Sequence, residues 1–154
     1  MRTPIGFNPL DRAVGDDAEN LRRVTQAAAV DDNTITIGHR YYELVRAVRR
    51  ALTEAADEGT TTYPLAVALA LRFLSTLPPG IPLPEIVVDS YGDIALDWDY
   101  GPRRITSVRV STDGVLYYAS LLGHATAHGS ETYSEMIPRS IIGAIRRVVE
   151  PNYR

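Results

Sequence analysis

The chain has no cysteine and no lysine among its 154 residues. Without cysteine there is no disulfide, no thiolate nucleophile and no cysteine-ligated zinc. Without lysine there is no P-loop phosphate lysine, no Schiff base, no Ser-Lys pair and no lysine-containing nuclease triad. All 16 basic residues are arginine, a bias that a GC-rich genome produces and that avoidance of lysine-directed modification would also produce. Long apolar runs are missing too. The most apolar one, Pro64–Leu71, is far too short to cross a bilayer and is followed by Arg72. The polar stretch Met1–Asn20 has no apolar segment ending in small residues, so neither a signal peptide nor a membrane anchor is expected, and the expected location is cytoplasmic. There is no glycine-rich nucleotide loop and no G-x-S-x-G elbow, and no cofactor is expected.

What is present is ordinary for a globular protein: 45% hydrophobic and 23% charged residues, with a net charge of −3. Residues 1–78 hold 9 arginines against 10 acids and residues 79–154 hold 7 against 9, so the halves carry −1 and −2. Neither is a basic module, which disfavours non-specific nucleic-acid binding.

Residues 1–77 read as helical, residues 78–84 as a proline-rich linker, and residues 85–154 as a β-meander followed by a helix. After an irregular arm, Ala18–Val30 is a helix candidate ended by Asp31-Asp32-Asn33, and Thr34–Ile37 reads as a short extended piece. A second helix is expected from about Arg40 to Ala56, where Tyr41, Leu44, Val45, Val48, Leu52 and Ala55 keep the spacing of a buried stripe. Thr62 and Pro64 predict the start of a third helix, Pro64–Leu77, apolar nearly all round and so expected to be covered on most sides. Four prolines between Pro78 and Pro84 predict a stiff extended connector.

Between Glu85 and Leu122 three turn signals, Tyr91-Gly92-Asp93, Gly101-Pro102 and Asp113-Gly114, separate four short runs. That is the pattern of a four-stranded antiparallel meander. In the second run Ile94, Leu96, Trp98 and Tyr100 alternate with Ala95, Asp97 and Asp99, so one face should meet the core and the other water. The fourth run, Val115–Leu122, is apolar on both faces, as in an interior strand or one that meets a second copy in a homodimer. Gly123–Glu135 reads as a loop, and Pro138 opens a final helix whose stripe is Ile141, Ile142, Ile145, Val148 and Val149. The expected class is α+β: N-terminal helices, a four-stranded antiparallel meander and a C-terminal helix packed on the sheet, together making one compact domain.

The order Tyr91-Gly92-Asp93-Ile94-Ala95-Leu96-Asp97-Trp98, Asp113-Gly114-Val115-Leu116-Tyr117-Tyr118-Ala119, His128-Gly129-Ser130-Glu131 and Ile137-Pro138 resembles a widespread group of small bacterial proteins with no assigned activity. The resemblance covers about the last 70 residues. It implies a meander followed by a helix, and no role for any residue.

Four groups of residues are candidate sites. Asp97 and Asp99, two apart on one strand, project from the same face; such pairs hold Mg²⁺ in some nucleases, and equally form the solvated side of an amphipathic strand. His124, His128 and Glu131 have the residue types of a metal set, and His128 with Glu131 those of an acid–base pair. Arg22, Arg23, Arg46, Arg49 and Arg50 form a basic group diluted by neighbouring acids. Nine tyrosines, against two phenylalanines and one tryptophan, suit interfaces. Tyr118 with Leu116 and Leu122 is expected beside Arg109, and Asp89, Asp93, Asp97 and Asp99 make an acidic patch suited to a basic partner. The leading expectation is a non-enzymatic protein-binding module, an inhibitor or adaptor from a prokaryote or its phage and mobile elements, with anti-CRISPR-like and immunity-type proteins as concrete versions. The alternative is a small hydrolase or metal-dependent enzyme with its site at residues 123–131.

Overall fold

The computed structural model describes residues 32–150 and 152. Among the described residues there are three helices, α1 (Asp32–Asp57), α2 (Pro64–Ser75) and α3 (Arg139–Val149), and five strands, β1 (Glu85–Val88), β2 (Ile94–Asp99), β3 (Arg104–Val110), β4 (Val115–Leu122) and β5 (Ala125–Thr132). The strands form one antiparallel sheet in chain order, so the class is α+β with a C-terminal helix. The described residues from Tyr41 onward form one compact unit, and Asp32–Arg40 belongs to a second. No described helix is long and apolar enough to cross a membrane. The expected helix Ala18–Val30, with Arg22 and Arg23, lies outside the described residues.

Helix α1 is longer than expected, because Thr34–Ile37 is helical rather than extended. β-branched residues lower helix propensity by only a fraction of a kcal/mol each, and adding residues to an existing helix avoids the nucleation penalty. The helix ends just before Gly59, a residue type that favours helix termination. Gly59, at φ +77°, donates to Ala56 O while Thr60 donates to Ala55 O, which satisfies the last-turn carbonyls. Helix α2 begins at Pro64, but its cap residue is Tyr63 and no side chain caps it; Thr62 does not serve. Nor is α2 covered on most sides. Ala66, Ala70, Phe73 and Leu74 are buried, Val67 and Leu71 are half-buried, and Leu65 is 54% exposed.

The linker is not extended throughout, because Ile81 N–H donates to Pro78 O at 3.0 Å and closes a turn over Pro79-Gly80. Leu77 and Ile81 are buried, and Pro82 O accepts the Trp98 indole N–H at 2.9 Å. Prolines lack N–H groups, so this segment can lie against the core with few donors to satisfy.

The core lies on one side of the sheet. Ile94, Leu96 and Trp98 of β2, Val108 and Val110 of β3 and Leu116 of β4 pack with Leu44 and Val48 of α1, Phe73 and Leu74 of α2, and Ile141, Ile145 and Val148 of α3. Each fully buried side chain of this size contributes about 1.5–3 kcal/mol before entropy is subtracted. Polar contacts pin α3 to this face. Thr106, fully buried, exchanges a hydrogen bond with Ser120 Oγ and donates to Ala144 O, while Arg104 donates to Val148 O and Val149 O at the helix C-terminus.

Two features of the sheet stand out, and the first corrects the expectation. First, the segment read as a loop contains a fifth strand, so the meander has five strands rather than four. A two-residue turn, Gly123-His124, with Gly123 at φ +62°, folds β5 back on β4. Second, the first three hairpins share a three-residue loop, closed by the pairs Asp89–Asp93, Tyr100–Arg104 and Ser111–Val115. The third loop residue is left-handed each time: Gly92 at φ +84°, Arg103 at +63° and Gly114 at +77°. Arg103 therefore occupies a slot that glycine fills in the other two.

Candidate functional site

Strand alternation places every other residue of β1–β5 on the face away from the three helices. The pairing aligns these residues in rows. One row runs Glu85, Asp97, Ser107, Ala119, His128, and its neighbour runs Val87, Ala95, Arg109, Tyr117, Ser130. Asp99, Ile105, Leu121 and Thr126 form a third. The core residues of the helices, Leu44 and Val48 of α1 with those of α2 and α3, pack on the other face. A shallow depression of about 430 Å³ lies over its β3–β5 half, lined by Ile105, Ser107, Ala119, Leu121, Thr126 and His128 among others.

The charges on this face are organised by local bonds. Asp97 accepts a short hydrogen bond from Ser107 Oγ. Arg109 lies over the Tyr117 ring, 4.9 Å from its centroid, and its Nε is 4.0 Å from Asp93 Oδ2. The latter distance is an ion pair, not a hydrogen bond. Tyr117 in turn donates to Asp113 Oδ2 at 3.0 Å. The Val115 backbone N–H, more than any other group, holds the Asp113 carboxyl below its usual range, and the bond to Asp113 raises the Tyr117 phenol above its own. Asp89 and Asp99 are turn-forming acids. Asp89 accepts from Tyr91 N and Asp93 N, and Asp99 from Gly101 N.

The candidate residues thus separate. Asp97, Asp99, Asp93 and Arg109 share the uncovered face, with Asp89 at its β1–β2 turn. Tyr118 does not join them: with Leu116 and Leu122 it is on the helix side, its ring packed under Gly129, where a Cβ would meet Tyr118 at 3.0 Å. The residue beside Arg109 is Tyr117. The reason is loop length. A two-residue turn at Asp113-Gly114 would set Arg109 opposite Tyr118, but the three-residue loop Thr112–Gly114 shifts the register by one and exchanges the faces.

Strand geometry also disperses the expected metal or acid–base set. On β5 His128 faces outward opposite Ala119, whereas Glu131 faces the helix side opposite Leu116 and accepts from Ser140 Oγ at 2.8 Å. His124 sits in the β4–β5 turn against Arg103 Nη1, 2.7 Å from Nδ1. No group of three metal-ligating side chains occurs among the described residues. Arg46, Arg49 and Arg50 are exposed on α1, where Arg49 borders an apolar groove between α1 and α2.

No protein-family model, curated protein or solved structure matches the chain.

Proposed function

We propose that the protein is a non-enzymatic binding module of the inhibitor or adaptor type, acting in the cytoplasm of a prokaryote, and that the uncovered sheet face receives a basic protein partner. One observation carries this reading. The core residues of α1, α2 and α3 pack on the Trp98 side, while the opposite side presents Glu85, Asp93, Asp97, Asp99 and Asp113 against Arg109. Such a face attracts positive charge, and its shape is shallow, which suits a protein surface better than a small substrate. Arg109 and Tyr117 supply the residue types that anchor protein contacts, already held together by stacking. An inhibitor that shields a basic nucleic-acid-binding surface is the concrete version closest to this chemistry.

The test is an NMR titration of the full chain with an arginine-rich peptide. Binding should shift resonances of Asp93, Asp97, Ser107 and Arg109 and should fade at about 1 M salt, where the screening length is near 3 Å. The triple variant Glu85→Gln, Asp97→Asn, Asp99→Asn keeps shape and acceptors, and should weaken binding by about tenfold or more. Shifts centred on the helices, or affinity indifferent to salt and to the variant, would contradict the proposal.

A further inference from the structure

The two edges of the sheet are built differently. The β1 edge is four residues long, preceded by Pro82 and Pro84 and bracketed by Glu85 and Asp89. Short length, proline and charge are the devices that keep edges from pairing. The β5 edge is eight residues long, with no proline, no arginine and no bulge in its register with β4. Thr126, His128, Ser130 and Thr132 on it are exposed.

Backbone alternation shows what such an edge accepts. In an antiparallel pair, successive residues direct their N–H and C=O groups alternately toward and away from the partner strand. The two-residue turn makes Leu122–Ala125 the closing hydrogen-bonded pair, and beyond the strand Tyr133 N–H donates to Gly114 O at 2.8 Å. Odd-numbered residues of β5 therefore bond to β4. Thr126, His128, Ser130 and Thr132 direct theirs outward, where no described strand lies. A row of donors and acceptors at this spacing is satisfied by another extended strand.

We infer that the outer edge of β5 pairs antiparallel with β5 of a second copy, joining two sheets into one across a two-fold axis. The strand is self-complementary in the register centred on Gly129. Thr126 faces the partner's Thr132 and His128 faces the partner's Ser130, so all four outward residues on each copy are paired, giving about eight backbone bonds. The one acid of the strand, Glu131, falls opposite the partner's Ala127, so no like charges oppose each other. The two Gly129 residues meet at the axis, each packed close against its own Tyr118 ring, which a Cβ there would meet at 3.0 Å. This register joins like faces, so the acidic faces of the two copies become one surface. The contact uses the edge and not that face, so it stands or fails independently of the partner proposed above.

The test combines light scattering with amide hydrogen exchange on the full chain over a dilution series. The expected particle has twice the 17.0 kDa mass of the chain, and the amides of Thr126, His128, Ser130 and Thr132 exchange slowly at high concentration and faster on dilution. Ser130→Pro removes one outward donor and should weaken the dimer by about tenfold or more, whereas Ser130→Ala keeps the amide and should not. The paired change Thr126→Lys, Thr132→Lys leaves the backbone intact, sets like charges opposite each other and should have the same effect as Ser130→Pro. Four results would overturn the inference: a 17.0 kDa particle at every concentration; a dimer whose outward β5 amides stay fast; edge protection that is independent of dilution, meaning the edge is filled within one chain; and protection that appears only on adding another protein's extended segment.

Discussion

Along β2 and β3 two sets of residues alternate. Leu96, Trp98, Val108 and Val110 are sealed beneath the helices, and one position away on each strand Asp97, Ser107 and Arg109 face outward. The same few strands thus carry both the stability of the molecule and its candidate recognition surface, separated only by the two-residue period. That separation makes perturbations on the two sides distinguishable. Changes on the helix side should act on folding, and changes on the outer side should act on binding with little effect on folding.

The largest effect should come from Trp98→Ala, which opens a cavity and leaves Pro82 O without its donor. We expect a loss of about 3–5 kcal/mol in denaturant unfolding, against less than about 0.5 kcal/mol for the neighbouring outward change Asp97→Asn. Equal losses would break the comparison. Next is Thr106→Val. It removes a hydroxyl that ties β3 to Ser120 and to α3, and should cost about 1–3 kcal/mol because two hydrogen bonds at a buried position are lost. Arg103→Gly should move stability the other way. Glycine suits the left-handed third position of the loop, as at Gly92 and Gly114, so a gain of about 0.5–1 kcal/mol is expected at the unfolding midpoint. A loss instead would show that the Arg103–His124 contact outweighs the backbone strain.

The smallest effect is the pH dependence of the outer face. Asp113 has a lowered folded pKa, so its contribution is present above the usual value of 3.8 and is lost as pH falls through the lower folded value. Tyr117 has a raised one, so its contribution is present below the usual 10.0 and is lost as pH rises through the higher folded value. Both groups are at the solvent, so Asp113→Asn should only flatten the acid limb of a plot of Tm against pH slightly, with the alkaline limb softened in step because Tyr117 loses its charged acceptor.

How far the sequence could be read follows from the same alternation. The β2 pattern was legible because Ile94, Leu96 and Trp98 differ so sharply from Asp97 and Asp99, and the α3 stripe was legible because its isoleucines and valines repeat at helical spacing. β5 was not. Ala125, Thr126, Ala127, Gly129 and Ser130 show no contrast between faces, and Gly123 and Gly129 read as loop punctuation although one forms the turn and the other makes room for a tyrosine ring. Register was hidden as well. Asp113-Gly114 marks a turn without fixing its length, and one residue of length decides whether Tyr117 or Tyr118 stands beside Arg109. Distances in space decided the rest. His128 and Glu131 are neighbours in sequence, but a strand sends them to opposite faces.

The absence of cysteine makes the central claim directly measurable, because a single introduced thiol reports the exposure of its own position. Ala119→Cys and Val108→Cys sit on adjacent strands, one on the outer face and one fully buried on the helix side. Under native conditions a maleimide should modify Cys at 119 quickly and Cys at 108 only through unfolding, slower by orders of magnitude. Comparable rates at the two positions would contradict the account, since they would mean that the sheet does not divide a sealed side from an open one.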